Sequence, residues 1–498
     1  MIFLSLLTMR HCLRPGLRRC LAAVSAIALL VTVPGCAGRS APGTERAGSS
    51  AAAAAAPSPS ASPPTMLRPF RHLPSQADCR RRLGFPCYPA DLVRRAYGVD
   101  RLNSTGITGK GRTVVVYEQV VPNTLKRDLA TFSRTMKLPV PELTVDRYAP
   151  IGHIAPFDPK NKQMVGPAME ATLDTQMVHM LAPEAKIVVT QIGLPQRAFT
   201  SPSPTSDASR ALPDAETPQE ARQSAKVGAA LMLDGIAQSL LRHRPDAISI
   251  SFGVEEYAAA GNSHAPARDL AGFSSALAQV VAGGTTLTAS TGDLGAAPPI
   301  GPGGRRVRSV PWPAADPHVL AVGGSRLHLD DAGRRTAPDT VWNDRSGATG
   351  GGPSQTFARP GYQDRVAHVV GGRRGLPDIA MDGSSTGGTL VYEGFLPTGA
   401  GWLPVGGTSE AAPMFAALVA LANQKAGHQL GDIHEALYAL ARDPHGGVID
   451  ITEGNNGPDG FPAKRGYDLA SGLGTVDASA FVPKLAGTGR SGPRSKTG

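Results

Sequence analysis

Hydrophobic residues in the middle of the chain recur in two patterns. Short runs rich in Val and Ile predict strands, and longer segments with apolar residues at helical spacing predict helices. The predicted strands cover residues 112–118, 185–192, 246–253 and 285–291, and the predicted helices cover residues 169–181, 228–243 and 267–284. Because strands alternate with helices, the pattern predicts an α/β fold with a mostly parallel central sheet and helices on both faces.

Two stretches interrupt this pattern. Residues 37–65 are rich in Ala, Ser and Pro and predict a flexible linker. Residues 195–219 are polar and predict a long surface loop inside the folded region, which we place at 66–485. The remaining residues, 486–498, predict a basic disordered tail.

The start of the chain has the features of an export signal. Four arginines precede an apolar run at residues 21–33, which is too short to span a bilayer comfortably. The run ends in "VPGC", which resembles a bacterial lipobox, so residues 1–36 are predicted to be a signal peptide and Cys36 a lipidated anchor. Ordinary signal-peptide cleavage nearby is the alternative. Lipidation and ordinary cleavage both predict an exported protein, extracellular or at the cell surface. Lipidation also predicts a membrane contact through Cys36.

The formal charge of +10 does not indicate a nucleic-acid partner, because the excess lies at the ends of the chain. Residues 1–65 carry +5 and residues 486–498 carry +3, which leaves +2 for the folded region. Of five cysteines, only Cys79 and Cys87 remain beyond Cys36. In an oxidising compartment such a pair is most simply a disulfide, since a metal site would need further ligands nearby.

Four residues are candidates for chemistry. Ser409 follows a Gly-Gly-Thr turn and precedes a helix-like segment, with Pro413 expected in its first turn. The alternative for Ser409 is a helix-capping residue. Glu170 and Asp174 are four residues apart and would share one helix face, either as a buried pair that shares a proton or as a solvated stripe. Asp293 follows a predicted strand, and alone it would be a turn residue.

Taken together, these segments resemble the sedolisin family, the serine-carboxyl peptidases, and are especially similar to its kumamolisin-type members. The resemblance runs in family order from about residue 111 to residue 477. It rests on the motifs "GPAMEATLD", "ISISFG", "STGDLGA", "PWPAADPHVLAVGG", "TVWND", "ATGGG", "GLPDIA", "GGTSEAAPMFAALVALAN" and "DITEGNNG". It implies a subtilisin-like fold.

The resemblance also implies roles for single residues. Ser409 would attack the peptide carbonyl, Glu170 would take its proton, and Asp174 would orient Glu170. A protonated Asp293 would stabilise the oxyanion together with the Ser409 N–H. Glu118 matches a family glutamate that extends the hydrogen-bond network.

The C-terminal motif resembles the family's calcium loop. The resemblance implies one Ca²⁺, held by the carboxylates of Asp450 and Asp468 and by backbone carbonyls at three further positions. Oxygen donors in a loop suit calcium. The carbonyl positions are Ile451, Lys464 and Gly466.

Two features depart from the family pattern. Phe252 stands where kumamolisin-type members usually have Trp, so the indole donor is missing. Residues 66–110 are also too few for the family's N-terminal prodomain.

The resulting hypothesis is a monomeric, exported serine endopeptidase that acts on proteins or peptides and is favoured by acid. A catalytically inactive, peptidase-like binding protein is the alternative. A His-dependent subtilisin-type hydrolase is disfavoured because the chain has no "HGTH" motif.

Overall fold

The structure, a computed structural model, describes residues 68–150, 154–193 and 217–488. The predicted signal peptide with Cys36, the linker at 37–65 and nearly all of the predicted loop at 195–219 lie outside these residues. The first three residues of the predicted tail do not form a disordered segment. They complete the helix Ala478–Thr488, in which Ala486 is buried.

Eight strands in the described part of the chain form the central sheet. They are β1 (Thr113–Glu118), β2 (Glu142–Tyr148), β3 (Lys186–Ile192), β4 (Ala247–Ile250), β6 (Thr286–Ser290), β8 (Leu320–Arg326), β9 (Thr340–Val341) and β14 (Ile379–Asp382). Seven of them lie in the order β14, β8, β6, β4, β1, β3, β2, and each pair of neighbours in this order is parallel. The eighth strand, β9, pairs antiparallel with β8.

Shorter antiparallel pairs surround the sheet. They are β5 (Val254–Glu255) with β7 (Pro311–Trp312), β10 (Asn343–Asp344) with β11 (Gly347–Ala348), β12 (Gly352–Ala358) with β13 (Arg373–Leu376), β15 (Thr389–Glu393) with β16 (Gly401–Val405), and β17 (Val448–Ile449) with β18 (Thr475–Val476).

The helices that the structure describes lie around this sheet. In chain order they are α1 (Gln76–Leu83), α2 (Ala90–Ala96), α3 (Val99–Ser104), α4 (Leu125–Thr135), α5 (Lys162–Leu181), α6 (Pro218–His243), α7 (Glu256–Ala259), α8 (Arg268–Ala271), α9 (Ser274–Ala282), α10 (Ala367–Val370), α11 (Thr408–Ala426), α12 (His434–Leu440) and α13 (Ala478–Thr488). None of those within the described ranges is both long and apolar enough to cross a bilayer.

The predicted alternation of strands and helices is confirmed, but several boundaries differ. The helix predicted at 267–284 is instead the two helices α8 and α9. The α-helical hydrogen bonds stop after α8, where the Phe273 N–H donates to the carbonyl of Leu270, only three residues earlier. Glycine at position 272 favours this break. The helix predicted at 228–243 begins at Pro218 instead, where Thr217 and Glu220 form a capping box, so the end of the predicted loop is helical.

Helix α11 lies against the centre of the molecule, and its residues from Thr408 to Asn423 are all buried. It packs on α5, α13 and several strands of the sheet. Pro413 was expected in the first turn but occupies the sixth position of the helix. A proline there leaves the carbonyl four residues earlier, that of Ser409, without its helical partner. The Ser251 hydroxyl donates to this carbonyl at 3.4 Å.

Candidate active site

The candidate residues meet because of the sheet order. Strands β6, β4 and β1 are neighbours and parallel, so their carboxyl ends lie at one edge of the sheet. Asp293 follows β6, Ser251 follows β4, and Glu118 ends β1. Helices α5 and α11 pack together at this edge and bring in the other candidates.

Helix α5 carries Glu170 and Asp174 on one face, as predicted from their spacing. They are not a solvated stripe, because Asp174 is fully buried and the Glu170 Oε1 atom is shielded from solvent. The Ser251 hydroxyl donates to Asp174 Oδ2 at 2.7 Å. Residues from two parts of the chain therefore share one carboxyl-lined cleft.

Ser409 is the second residue of α11 and is 8% exposed. Its hydroxyl donates to the Ser251 carbonyl at 3.3 Å. Its N–H belongs to the first turn of the helix, where backbone donors have no acceptor within the helix. The side chain is therefore held beside a free backbone donor, which is the setting that an oxyanion-forming nucleophile needs.

Asp293 is held by the residue just before Ser409. Its Oδ1 atom accepts hydrogen bonds from the Thr408 N–H and hydroxyl, both at 2.8 Å. The Thr408 hydroxyl in turn accepts from Gly292 N–H at 2.9 Å. Asp293 Oδ2 faces Gly407, where an added Cβ would lie 2.8 Å from this oxygen, and Gly407 has a φ of 118°. Both space and backbone conformation therefore require glycine at position 407.

The pKa values of the clustered carboxyl groups are raised. Burial is the largest cause for Glu118, Asp174 and Asp293, and repulsion between Glu170 and Asp174 adds to it. Burial also raises the pKa of Glu170, to about 7, while hydrogen bonds from the Ser409 and Ser251 hydroxyls act in the opposite direction. Glu118 and Asp174 have pKa values well above their usual range and also hydrogen-bond to each other.

The structure brings together Glu118, Glu170, Asp174, Asp293 and Ser409. Two further residues in this cleft were missed from the sequence, namely Ser251 and Thr408. Both lie in quoted motifs, "ISISFG" and "GGTSEAAPMFAALVALAN", and their presence there was the available signal. Phe252 lies slightly apart, with its ring 5.2 Å from that of Tyr117.

A cavity of about 270 Å³ lies beside this cleft. It starts at Phe252, one residue after Ser251, and extends between α6 and the ends of β1 and β3. Most of its wall is apolar and includes Tyr117, Ile192, Ala225, Met232, Phe252 and Trp312. A pocket of this character suits an apolar side chain of a ligand.

The predicted calcium ligands lie in two loops that contact each other. Gly466 N–H donates to Asp450 Oδ2 at 2.7 Å, and Lys464 N–H donates to Asp468 Oδ2 at 2.8 Å. The Ser471 hydroxyl lies 3.4 Å from the Ile451 carbonyl oxygen. Two carboxylates and backbone carbonyls are a donor set that fits calcium, and an oxygen that accepts one hydrogen bond retains a lone pair. Across the described ranges, no group of three or more His, Cys, Asp and Glu side chains could hold a metal ion by itself.

Cys79 and Cys87 form a disulfide, with Cα atoms 5.9 Å apart. The bond joins α1 to the segment before α2, and both cysteines are fully buried. Cys36 lies outside the described residues.

The parallel sheet with its surrounding helices, and a serine at the start of a buried helix, define the class of subtilisin-like folds. A solved structure of Pseudomonas sedolisin, a serine-carboxyl proteinase complexed with two molecules of pseudo-iodotyrostatin, superimposes with a TM-score of 0.64. The alignment covers 81% of this chain and 99% of that chain at 24% identity. The predicted fold class is thereby confirmed.

The sequence model of the subtilase family matches residues 163–437, more than half of the chain, and the chain belongs to this family. Among curated relatives, kumamolisin from Bacillus sp. is 39% identical over 47% of this chain and 41% of its own length. Sedolisin from Pseudomonas sp. is 36% identical over 36% of this chain and 31% of its own length. The chain thus spans less than half the length of these relatives.

Proposed function

We propose that this protein is a serine-carboxyl endopeptidase that hydrolyses peptide bonds in proteins or peptides. The observation that carries the proposal is the meeting of Ser409 with buried carboxyl groups rather than with a histidine. His179 lies on α5 but hydrogen-bonds to Ser133, and burial lowers its pKa to about 4. The proton acceptor for Ser409 is therefore Glu170, the buried carboxyl group whose pKa the nearby Ser409 hydroxyl lowers.

In the first step, the Ser409 oxygen attacks the substrate carbonyl carbon and its proton passes to Glu170. Burial and the neighbouring carboxyl groups raise the pKa values of Asp174 and Glu118 well above their usual range, so both keep their protons and the single negative charge before attack is assigned to Glu170. Asp174 orients Glu170, and Glu118 supports Asp174 through their hydrogen bond. Glu170 then returns the proton to the leaving amine, and water repeats the sequence to release the acyl group.

The negative oxygen of the tetrahedral intermediate is stabilised by two donors, the Ser409 N–H and the Asp293 carboxyl. Asp293 Oδ1 accepts from a backbone N–H, which can only donate. The proton of Asp293 therefore resides on Oδ2, the oxygen that faces Gly407. A neutral carboxyl in this position acts as a hydrogen-bond donor.

This chemistry favours acidic pH. The active form carries a proton on Asp293 and none on Glu170. Because these two groups are coupled, this form is most populated between their two pKa values. The pKa of Glu170 is about 7 and that of Asp293 is raised from its usual range. As the pH rises, Asp293 loses its proton and can no longer donate to the oxyanion, so the activity is lost in alkaline solution.

Calcium, when bound, would hold together the loops of Asp450, Ile451, Lys464, Gly466 and Asp468 and contribute stability rather than chemistry. We further propose that the protein is exported, that it is anchored through a lipid on Cys36, and that it acts as a monomer. The mass of the mature N-terminal peptide, compared with that from Cys36→Ala, tests the anchor.

The central test is hydrolysis of a denatured protein from about pH 3 to about pH 8, with Ser409→Ala and Glu170→Gln as variants. Acid-favoured hydrolysis that both substitutions abolish supports the proposal. Equal hydrolysis of N-acetylated and free peptides separates an endopeptidase from a tripeptidyl peptidase, an activity named among the relatives. A folded, calcium-supplied protein without turnover at any pH would overturn the proposal in favour of a peptidase-like binding protein.

A further inference from the structure

The turn that carries Asp293 is fixed by backbone hydrogen bonds from the neighbouring segment 347–350. Gly350 N–H donates to the Gly292 carbonyl at 2.7 Å, and Ala348 N–H donates to the Asp293 carbonyl at 3.0 Å. Gly295 N–H donates back to the Ala348 carbonyl at 2.9 Å. These bonds hold one side of the turn.

On its other side the turn contacts Asn456 of the C-terminal loop, and the Ala296 carbonyl also accepts from Ser309 N–H at 3.3 Å. Ala296 N–H donates to the Asn456 carbonyl at 3.0 Å. The approach is close, because a Cβ added to Gly295 would lie 2.6 Å from the same carbonyl oxygen, and Gly295 has a φ of +76°. Only glycine combines this backbone conformation with so close a contact.

The Asn456 side chain fixes the orientation of that carbonyl. It is fully buried and bonded at both ends of its amide. Oδ1 accepts from Phe461 N–H at 2.6 Å, and Nδ2 donates to the Leu469 carbonyl at 3.2 Å. The asparagine backbone N–H also donates to the Phe461 carbonyl at 3.2 Å. Because the amide must accept at one end and donate at the other, no other side chain of this size satisfies both partners.

We propose that Asn456 is a positioning residue for Asp293, holding the turn 292–296 so that Asp293 Oδ2 points to the oxyanion. This inference rests on the proposed function of Asp293. The path is short, running from the Asn456 carbonyl to Ala296 N–H and back three residues along the turn to Asp293. A shift of the turn misdirects the donor and leaves the substrate cleft beside Ser251 and Phe252 in place.

The test compares Asn456→Ala with Asn455→Ala in the full chain. Asn455 is the matched control, an exposed neighbour whose side chain bonds to Gly457 and Asn343 rather than to the turn. After titration of the active serine, we expect Asn456→Ala to lower kcat roughly tenfold with KM changed less than about twofold, the pattern of a lost transition-state interaction. Asn455→Ala leaves both close to wild type.

A double-mutant cycle with Asp293→Asn shows whether the effect passes through Asp293. We expect Asn456→Ala to cost less than about threefold in the Asp293→Asn background. Equal losses in both backgrounds, or an unchanged kcat, overturn the positioning role and leave the proposed function intact. An Asp293→Asn enzyme with wild-type activity and pH profile overturns the proposed role of Asp293 as the oxyanion donor, whereas loss of function is judged from Ser409→Ala and Glu170→Gln. If Asn456→Ala does not fold, Gly295→Ala perturbs the same contact from the side of the turn. Its kcat and KM are then measured in the wild-type and Asp293→Asn backgrounds.

Discussion

Asp293 and Thr408 are joined by two hydrogen bonds to one oxygen, since both the N–H and the hydroxyl of Thr408 lie 2.8 Å from Asp293 Oδ1. The residue just before the candidate nucleophile thus orients the candidate oxyanion donor. Any movement of the start of α11 moves both groups together. The pair therefore links the position of the nucleophile to that of the donor.

Replacing Thr408 by Val removes the hydroxyl but keeps the N–H and the approximate volume. We expect kcat to fall roughly tenfold, because a buried hydrogen bond to a positioned group is lost. The hydroxyl lowers the pKa of Asp293, so its loss raises that pKa and moves the limb of the activity profile that Asp293 governs to higher pH. The pH dependence of kcat measures this. Thr408→Ser retains the hydroxyl, so we expect it to have the wild-type kcat and pH profile. A Thr408→Ser enzyme that behaves like Thr408→Val would contradict the role given to the hydroxyl.

Replacing Ser251 by Ala removes the donor to Asp174. The Ser251 hydroxyl lowers the pKa of both Asp174 and Glu170, so its loss raises them. A higher pKa for Glu170 reduces the fraction of enzyme with this group ionised, so the maximal rate falls and the limb of the profile that Glu170 governs moves to higher pH. The pH profile of kcat/KM reports both effects. Ser249→Ala on β4, two residues before Ser251, is the control, since the Ser249 hydroxyl is buried and finds no hydrogen-bond partner among the described residues. A shift in the control as large as in Ser251→Ala would refute the explanation.

The stability of the fold should decrease from acidic to neutral pH. Glu393 is fully buried near Asp128, and burial followed by repulsion from Asp128 raises its pKa well above the usual range. A carboxyl group with a raised pKa in the folded state stabilises the fold while protonated, and this stabilisation is lost as the pH rises towards the folded-state pKa. We expect Glu393→Gln to reduce the fall in Tm between about pH 4 and about pH 8 by a few degrees. Thermal unfolding measures the effect, and Glu435→Gln on α12, for which we expect no such change, serves as the control.

Filling the cavity should alter substrate preference and leave the chemistry intact. Ala225→Leu adds three carbon atoms to the wall of the 270 Å³ cavity. We expect kcat/KM to fall roughly tenfold for peptides whose bulky apolar side chain would enter this cavity. A loss of this size corresponds to a small part of an apolar contact. Peptides with alanine at that position are the internal control. An equal loss for both peptides would place the cavity outside the substrate-binding surface.

Calcium should stabilise the wild-type fold and not the variant Asp450→Asn. A ligand that binds only the folded state raises its stability by about 2.7 kcal/mol at a hundredfold excess over Kd. We expect Tm to fall on chelation and to recover with calcium but not with magnesium, since the donor set of carbonyls and carboxylates suits the larger ion. Thermal unfolding with and without a chelator checks this. An unchanged wild-type Tm would remove calcium from the proposal.

The sequence by itself determined the alternation of strands and helices, and so the parallel sheet. Hydrophobic periodicity is a local property, which a buried strand such as Thr113–Glu118 displays directly. Helical spacing likewise placed Glu170 and Asp174 on one face. The motifs around Ser409 and Asp293 then indicated the family, because glycines and polar residues at fixed offsets depend little on distant contacts.

Only the tertiary structure decided which residues serve these groups. Ser251 reaches Asp174 across 77 residues of sequence, and Thr408 reaches Asp293 across 115. The contact between Asn456 and Ala296 is likewise remote. Such pairings depend on the strand order and on how α11 packs against the sheet, and no local sequence pattern encodes either. The raised carboxyl pKa values have the same origin, because burial exists only after the chain has packed.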